Sequence, residues 1–540
     1  MSFRISVAPF ILATLTACST LDVDPNTDPE ATAGTDPTSG TTGDGSGVDQ
    51  PTTSTTAGDP TSGTTGPGST VTSTDGPDTD GTGAVTEGST DPTGTTTDDT
   101  TGTTTDDTTG TTTDDTTGTT TDDTTGDTDD TTTDGMGLPD DAIFVNIGVG
   151  LDSDPGTQDA PKRTIQAGIS AAVMTGASAV YIAEGAYDVD YQDNKVIVLQ
   201  DGVSLFGGFK ADDWGVRDPA LHPSVIVDKS DTGGTASQPN RALDGGTGVG
   251  PDTVVDGLTL QGGTGDLSAA VFIEGSNPTL TGNVILGGSA AFLNSYGLYV
   301  RAASPTVKRN RIEGGDHNSL SYTAAAYFGE SSARVEGNTF KAGKARYTRG
   351  VSVNGSDLVF YNNVLDGGTS TNFNNAGYAH ALSIINAAPV VAGNTIVTQS
   401  PTNGVGIYLW DDANPTIDGN IITRSGRCVI EDDPPFKAAS IRNNAFHCTQ
   451  AYESGGMTYN ELLPLETLLN ANGTLASGNV KVAPTFVGNG DYRLQGMGQT
   501  VCELAQGGLD QSQFFTEDHD GAPRTAPWTI GAFELDGPCQ

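Results

Sequence analysis

From Val254 to Cys448, apolar and polar residues alternate in short runs, and the runs return at regular intervals. Gly297-Leu298-Tyr299-Val300 and Gly406-Ile407-Tyr408-Leu409 show the pattern, aliphatic residues to one side and tyrosine to the other. Alternation over a few residues marks a half-buried strand, not a helix. Gly, Asn, Ser and Pro, the turn formers, separate the runs. One phrase recurs: PTLTGNVILGG from Pro278, PTVKRNRIEGG from Pro305 and ARVEGNTFKAG from Ala333. It continues as LVFYNNVLDGG from Leu358, PVVAGNTIVTQ from Pro389, PTIDGNIITRS from Pro415 and ASIRNNAFHCT from Ala439.

Every copy holds an asparagine at the same place: Asn283, Asn310, Asn338, Asn363, Asn394, Asn420 and Asn444. The steps between them are 27, 28, 25, 31, 26 and 24 residues. Self-similarity at such a period marks a solenoid. Three short strands and three turns fill about 25 residues, so the pattern predicts an all-β fold, a parallel β-helix of stacked coils. Coils stack about 4.8 Å apart. Each asparagine amide then reaches its counterpart one coil away and satisfies groups that would otherwise be buried unpaired. The asparagines are also expected to adopt the left-handed conformation of a sharp turn. Their role is read as structural.

Ahead of the repeats, Thr164 caps a predicted helix that runs to about Thr175, with Gly176 as its stop. Ile165, Ile169, Ala172 and Val173 share one face of it. Such a helix would cover the open end of the solenoid, whose strand edges otherwise invite association. Val196 to Phe209 and Val225 to Asp228 read as first coils, with Phe206, Phe209 and Trp214 in an irregular early layer. Gly478 to Gln540 reads as a last coil and a cap.

Asp154-Pro155-Gly156-Thr157, Thr164-Ile165-Gln166-Ala167, Val180 to Gly185, Tyr187 and the closing Ile530-Gly531-Ala532-Phe533-Glu534 carry a resemblance. The stretch from about Ile143 to Glu534 is similar to the right-handed parallel β-helix proteins of the pectin-lyase-like superfamily. More closely, it resembles bacterial surface β-helix proteins whose N-terminal part is a domain of unknown function. The resemblance implies the fold and is nearly silent on activity. The polygalacturonase-like set of Asn-Thr-Asp, Asp-Asp, Gly-His-Gly and Arg-Ile-Lys is not present as a set: Arg311-Ile312 leads to Glu313, and no Gly-His-Gly occurs.

Composition divides the chain into 1–18, 19–141, 142–250, 251–450 and 451–540. Residues 1–18 read as an export signal, with Arg4 ahead of an apolar run too short to span a bilayer. Leu15-Thr16-Ala17-Cys18 resembles a bacterial lipobox, which makes Cys18 the lipidated residue. Residues 19–141 hold 27 acidic residues and no Lys or Arg, with an eight-residue TGTTTDDT repeat. Few apolar residues and one sign of charge cannot repay the entropy of ordering, so this stretch reads as a tether. Residues 142–250 read as the N-terminal cap and first coils, 251–450 as the β-helix and 451–540 as its close. Localisation follows: exported, lipid-anchored, at the bacterial outer membrane or cell surface. The lipid is the expected membrane contact, and the chain is expected to be a monomer.

Outside the tether the net charge is still about −18. That argues against nucleic acid, which needs clustered Lys and Arg. Residues 301–350 depart from the trend with nine basic residues against four acidic ones. If those share a face, an anionic polysaccharide is a plausible ligand; if they scatter, the excess means little.

Aligning the coils puts Phe272, Tyr299, Tyr327 and Tyr408 at matching outward positions, with Arg301 and Trp410 near the same column. Aromatic faces stack on sugar rings, and Arg grips a carboxylate or hydroxyl pair. Tyr299, Arg301, Tyr327, Tyr408 and Trp410 are therefore the candidate ligand-binding set, with carbohydrate as the ligand class. Two acidic turns form a second candidate: Asp411 and Asp412, then Glu431, Asp432 and Asp433 about one coil later. Stacked, the five would raise one another's pKa or recruit Ca²⁺, and two carboxylates at suitable separation would serve a polysaccharide lyase or glycoside hydrolase. Solvated loops explain the same residues, so binding is read ahead of catalysis, with a spacer or adhesin as the third reading. No Cys/His cluster calls for a metal, and Asp518, Asp520 and Gly521 fail as an EF-hand, with Thr516 and Pro527 at its first and last ligands. An exported chain can form disulfides; Cys428–Cys448 on neighbouring coils and Cys502–Cys539 in the cap are the expected pairs.

Overall fold

One coil shows how the chain is built. Thr279–Thr281 forms a short strand, Gly282 and Asn283 turn the chain, and Val284–Leu286 forms the next strand. After a loop, Ser295–Arg301 forms a longer third strand, and Thr306–Lys308 then begins the next coil directly above Thr279–Thr281. Repetition of this unit gives three parallel sheets, here called A, B and C in the order a coil visits them, in a right-handed β-helix of about nine turns. This is a computed structural model, and it describes residues 138–535 apart from 192–195, 236, 291–293, 317–321, 371–376, 433–436 and 497. The lipobox with Cys18, the acidic tether up to 137, Asp433 and Cys539 lie outside the described residues.

The interior follows from the alternation. Leu280, Val307, Val335, Phe360, Val391, Ile417 and Ile441 stack as one inward column of sheet A. Ile285, Ile312, Phe340, Leu365, Ile396, Ile422 and Phe446 do the same in sheet B. Burial of each side chain contributes about 1.5–3 kcal/mol. Leu298 and Val300 point inward and Tyr299 outward, as their spacing predicts.

Sheet C bends along a column of small residues, Ala270, Gly297, Ala325, Gly350, Ala381, Gly406 and Cys428. A Cβ on Gly350 would stand 2.5 Å from the Ala381 carbonyl oxygen, so the bend excludes larger side chains there. Cys428 closes this column and is joined to Cys448, 20 residues on, with Cα atoms 5.5 Å apart.

The asparagine ladder runs unbroken from Asn283 to Asn444. In each rung Nδ2 donates to the Oδ1 of the next at 3.0–3.1 Å. The backbone N–H of each donates to that same oxygen at 2.8–3.0 Å. The second amide hydrogen reaches a sheet A carbonyl of the coil before. One expectation is corrected: the asparagines themselves are not left-handed. The residue before each one is, at φ 62° for Gly282, 52° for Arg309, 56° for Asn362 and 51° for Asn443. That turn swings the following amide inward, and an inward amide needs ordinary backbone angles to line up with its neighbours.

A further rung, Asn479, accepts from Asn444 and was not legible in the repeat. Its N–H and Nδ2 both donate to Glu466 Oε1 at 2.9 Å, so a carboxylate ends a row of amides that all point one way.

At the start, helix α1 (Ile165–Thr175) lies across the first coils, with Thr164 accepting from the Ala167 N–H and Gly176 closing it at φ 80°. Asp152 accepts from the N–H groups of Arg163 and Thr164, which ties the preceding turn to the start of the helix. Val173 departs from expectation. It is 56% exposed, and Gly168, packed against Val145, takes the inner face instead. Phe206, Phe209 and Trp214 cluster with Tyr181 outside the first coils of sheet A.

The far end closes with a hairpin of Gln450–Ser454 and Met457–Tyr459, helix α2 (Leu462–Ala471) and the last sheet A strand, Leu475–Ser477. Residues 480–535 do not stay over that end. They run back along the flank, where Ile530, Ala532 and Phe533 cover Val364, Val397, Ile421 and Ala445 of sheet B. Phe515 and Trp528 cover Tyr361 and Ala392 of sheet A. Those strands are apolar on both faces, so their outer side needs a cover. Arg524 fastens the returning segment. Its Nη2 donates to Asn362 Oδ1 at 2.7 Å and its Nη1 to Glu534 Oε1 at 2.7 Å. Asp518 is buried and accepts from the N–H groups of Asp520, Ala522 and Glu534, an anchor for the segment's own turn. No helix among the described residues is long and apolar enough to cross a membrane.

Candidate functional site

The returning segment occupies the outer sides of sheets A and B, which leaves the outer side of sheet C as the face to examine. Strand register confirms the aromatic column there: Phe272, Tyr299, Tyr327, Ser352, Ser383, Tyr408 and Ile430 stand in line over successive coils. The rings use their faces on one another. Phe272 and Tyr299 stack at 5.7 Å and 26°, Tyr299 and Tyr327 at 4.8 Å and 19°. Tyr299 is 3% exposed, and Phe272 and Tyr408 are buried as well. Burial raises the phenol pKa of Tyr299 and lifts that of Tyr327 to about 12, so both stay neutral donors. A flat ligand cannot lie on rings already sandwiched by their neighbours; Phe272 and Tyr299 serve as scaffold.

The next outward column toward the turn is half-exposed, and it contains Glu274, Arg301, Asn354, Ile385 and Trp410. Arg301 Nε donates to Glu274 Oε1 at 2.8 Å. Trp410 packs at the edge of Val405, Tyr408 and Ile430.

On the other side of the aromatic column stands a set that the repeat did not announce: Tyr296, Ala324, Arg349, His380, Val405 and Arg427. Arg349 lies 4.8 Å over the Tyr322 ring and reaches Ser352 Oγ at 3.4 Å. His380 stacks on Tyr408 at 4.7 Å, with Nδ1 3.2 Å from Ser383 Oγ. Burial, then the charges of Arg349 and Arg427, holds its pKa well below the usual histidine value, so the ring is neutral. Tyr408 donates to Asp432 Oδ2 at 2.6 Å, and Arg427 pairs with Glu453 at 3.6 Å. Extending the Tyr327–Tyr408 alignment three positions back along each strand finds Arg349 and His380.

The acidic turns do not converge. Glu431 lies in the inward column below Leu409, buried, and accepts from Tyr452 OH at 3.1 Å, Ser454 Oγ at 3.2 Å and the Lys437 N–H. Asp432, the next residue, faces the opposite way, toward Tyr408. Asp411 occupies the left-handed turn position that Gly275, Ala302 and Glu330 fill in other coils. Asp412 is 88% exposed and pairs with Lys437 at 3.0 Å. Alternation explains the split, because consecutive residues of a strand serve opposite faces. Among the described residues no group of three or more His, Cys, Asp or Glu is arranged to hold a metal ion. Cys502 is disulfide-bonded; Cys539, its expected partner, lies outside the described residues.

The basic stretch scatters. Arg301 and Arg349 are on sheet C, Lys308 and Arg334 on sheet A, Arg311 and Lys341 on sheet B. Arg309 pairs with Glu517, Arg311 with Glu313 and Arg334 with Glu336. No single basic face results.

Among curated protein sequences none matches the chain. Solved structures do. The A-module of the mannuronan C-5 epimerase AlgE4 of Azotobacter vinelandii is 16% identical, with 54% of this chain and 90% of that one covered at a TM-score of 0.26. The catalytic unit of a GH87 α-1,3-glucanase from Streptomyces thermodiastaticus is 15% identical, with 60% and 69% covered at 0.30. The surface protein and adhesin PfbA of Streptococcus pneumoniae is 14% identical, with 54% and 94% covered at 0.24. Scores this low leave the chemistry of this chain to its own residues. One family model matches residues 148–453, more than half of the 540, and the chain belongs to that family, described as a protein of unknown function (DUF1565).

Proposed function

We propose that this chain is a lipid-anchored β-helix of the bacterial cell surface that binds carbohydrate on the outer face of sheet C. One observation carries the reading. On the face that the returning segment leaves uncovered, neighbouring coils align the half-exposed Asn354, Ile385 and Trp410 in one column, backed by the buried row Ser352, Ser383 and Tyr408. A half-buried indole offers an apolar platform to a pyranose ring, and the Asn354 amide in the same column suits its hydroxyls. Arg301, held by Glu274, extends the row at one end. Catalysis has weaker support, because Glu431 points into the core while Asp412 and Asp432 have separate partners.

The test is a polysaccharide panel, uronate-rich and neutral, with and without Ca²⁺, probed with the full chain carrying Cys18→Ser. Trp410→Ala should weaken binding about tenfold in a chain that still unfolds cooperatively. Release of reducing or unsaturated ends would replace this reading with an enzyme. Failure to bind any glycan would overturn it in favour of a spacer or adhesin. The anchor has its own check: palmitate incorporation in cells, which Cys18→Ser should abolish.

A further inference from the structure

We infer that a second ligand site lies between the outer side of sheet A and the returning segment, and that it takes a neutral, hydroxyl-rich chain such as a linear oligosaccharide. Residues 509–517 cross sheet A at one point, where Phe515 stacks on Tyr361 at 4.9 Å. The crossing leaves a cleft on each side. One, of about 430 Å³, is lined by Lys308, Arg334, Glu336 and Glu517 among others. The other, of about 340 Å³, is lined by Asp418, Arg442, Asp510 and Gln513 among others. Both volumes fall in the range of small-molecule clefts, roughly 300–1,000 Å³.

Phe514 lines both clefts and is 37% exposed, beside a Phe515 that is buried. A single ring at the junction of two polar clefts gives one stacking surface to a ligand that passes from one to the other.

The charges select the ligand class. Arg334 pairs with Glu336 at 2.9 Å and Arg442 with Asp418 at 2.6 Å, so cations and anions alternate along the walls. A polyanion would meet Glu336, Glu517 and Asp510; a polycation would meet Lys308, Arg334 and Arg442. Asp418 is filled by Ser440 and Arg442, but the guanidinium groups and Glu336 keep spare donors and lone pairs, since Arg has five N–H groups and a carboxylate about four acceptor positions. Adjacent donors and acceptors held in place are what a vicinal diol requires. Apolar chains find little beyond Phe514. The site is on a different sheet from Trp410, so it stands or falls separately from the binding face on sheet C.

Cellohexaose, laminarihexaose and maltohexaose should be titrated calorimetrically into the full chain carrying Cys18→Ser. At least one is expected to bind. Phe514→Ala should weaken that binding about tenfold, Ser512→Trp should block it by filling the larger cleft, and Met174→Ala, at an exposed side chain of α1, should leave it unchanged. Raising NaCl from about 0.05 to 0.5 M should shift the Kd less than about twofold. Absence of binding by all three, or binding that survives both Phe514→Ala and Ser512→Trp, would overturn the inference. Phe514 and Ser512 are exposed, and unchanged unfolding curves would confirm that both variants fold.

Discussion

At the scale of single residues, the ladder amides are the most consequential groups in the chain. Asn338 Oδ1 accepts from the N–H and Nδ2 of Asn310, and its own Nδ2 donates to Asn363 and to the Val307 carbonyl. Asn338→Ala therefore strands polar groups on both neighbouring coils. Each unsatisfied buried group costs about 1–3 kcal/mol, so the unfolding free energy should fall by roughly 3 kcal/mol or more in a urea titration. Asn362, one residue before the next rung, occupies the left-handed turn, and Gly there relieves strain but removes the amide that Arg524 and Glu517 use. At this scale the sequence was legible where period decides the answer. Alternation alone put Tyr299 and Tyr408 outside and Leu298 inside. It could not show that the rings would stack on one another, since alternation names a face and says nothing of what lies upon it. The same limit applies to Glu431 and Asp432, which look like a pair in the sequence and serve opposite sides of one strand.

At the scale of elements, the last coils and the returning segment have separate fasteners. The Cys428–Cys448 bond closes a loop with a sequence separation of 20. Replacing both with Ser should cost about 3 kcal/mol by releasing the unfolded chain, read as a lower urea midpoint. His519 holds the returning segment with Nε2 3.1 Å from Thr339 Oγ1 and its ring stacked on Phe533. Burial pushes its pKa down to about 4, against the pull of Asp520 and Asp518. The unfolded chain takes up this proton near pH 6.5 and the folded chain resists it. Its contribution is thus complete above about pH 6.5 and is lost as pH falls toward 4. His519→Gln should flatten the dependence of the urea midpoint on pH across that window. The closing Ile530 to Glu534 phrase was visible in the sequence, but its docking on sheet B was not. Phe486, Tyr492, Ile530 and Phe533 follow no period, and their partners are distant in sequence. The doubly apolar strands, such as Thr395–Val397 and Ile421–Thr423, did carry a hint that both faces would be covered.

At the scale of the whole molecule, a bare solenoid is a row of coils that know only their neighbours. Residues 480–535 change that. Contacts from Glu517 to Arg309, His519 to Thr339, Ala532 to Thr395 and Asn443 to Gly507 tie coils far apart into one unit. Truncation after Val480 should lower the melting temperature and split a single calorimetric transition into several, with the van't Hoff enthalpy falling below the calorimetric one.

The direction of synthesis gives that segment a further meaning. Residues 480–535 are made after every coil they cover. Without them, the β-helix carries a greasy stripe along two flanks, from about Tyr361 to Ala445. A ribosome that halts between those points and residue 530 releases a product able to stick to its siblings, whereas one that finishes the sentence hides the stripe with its final words.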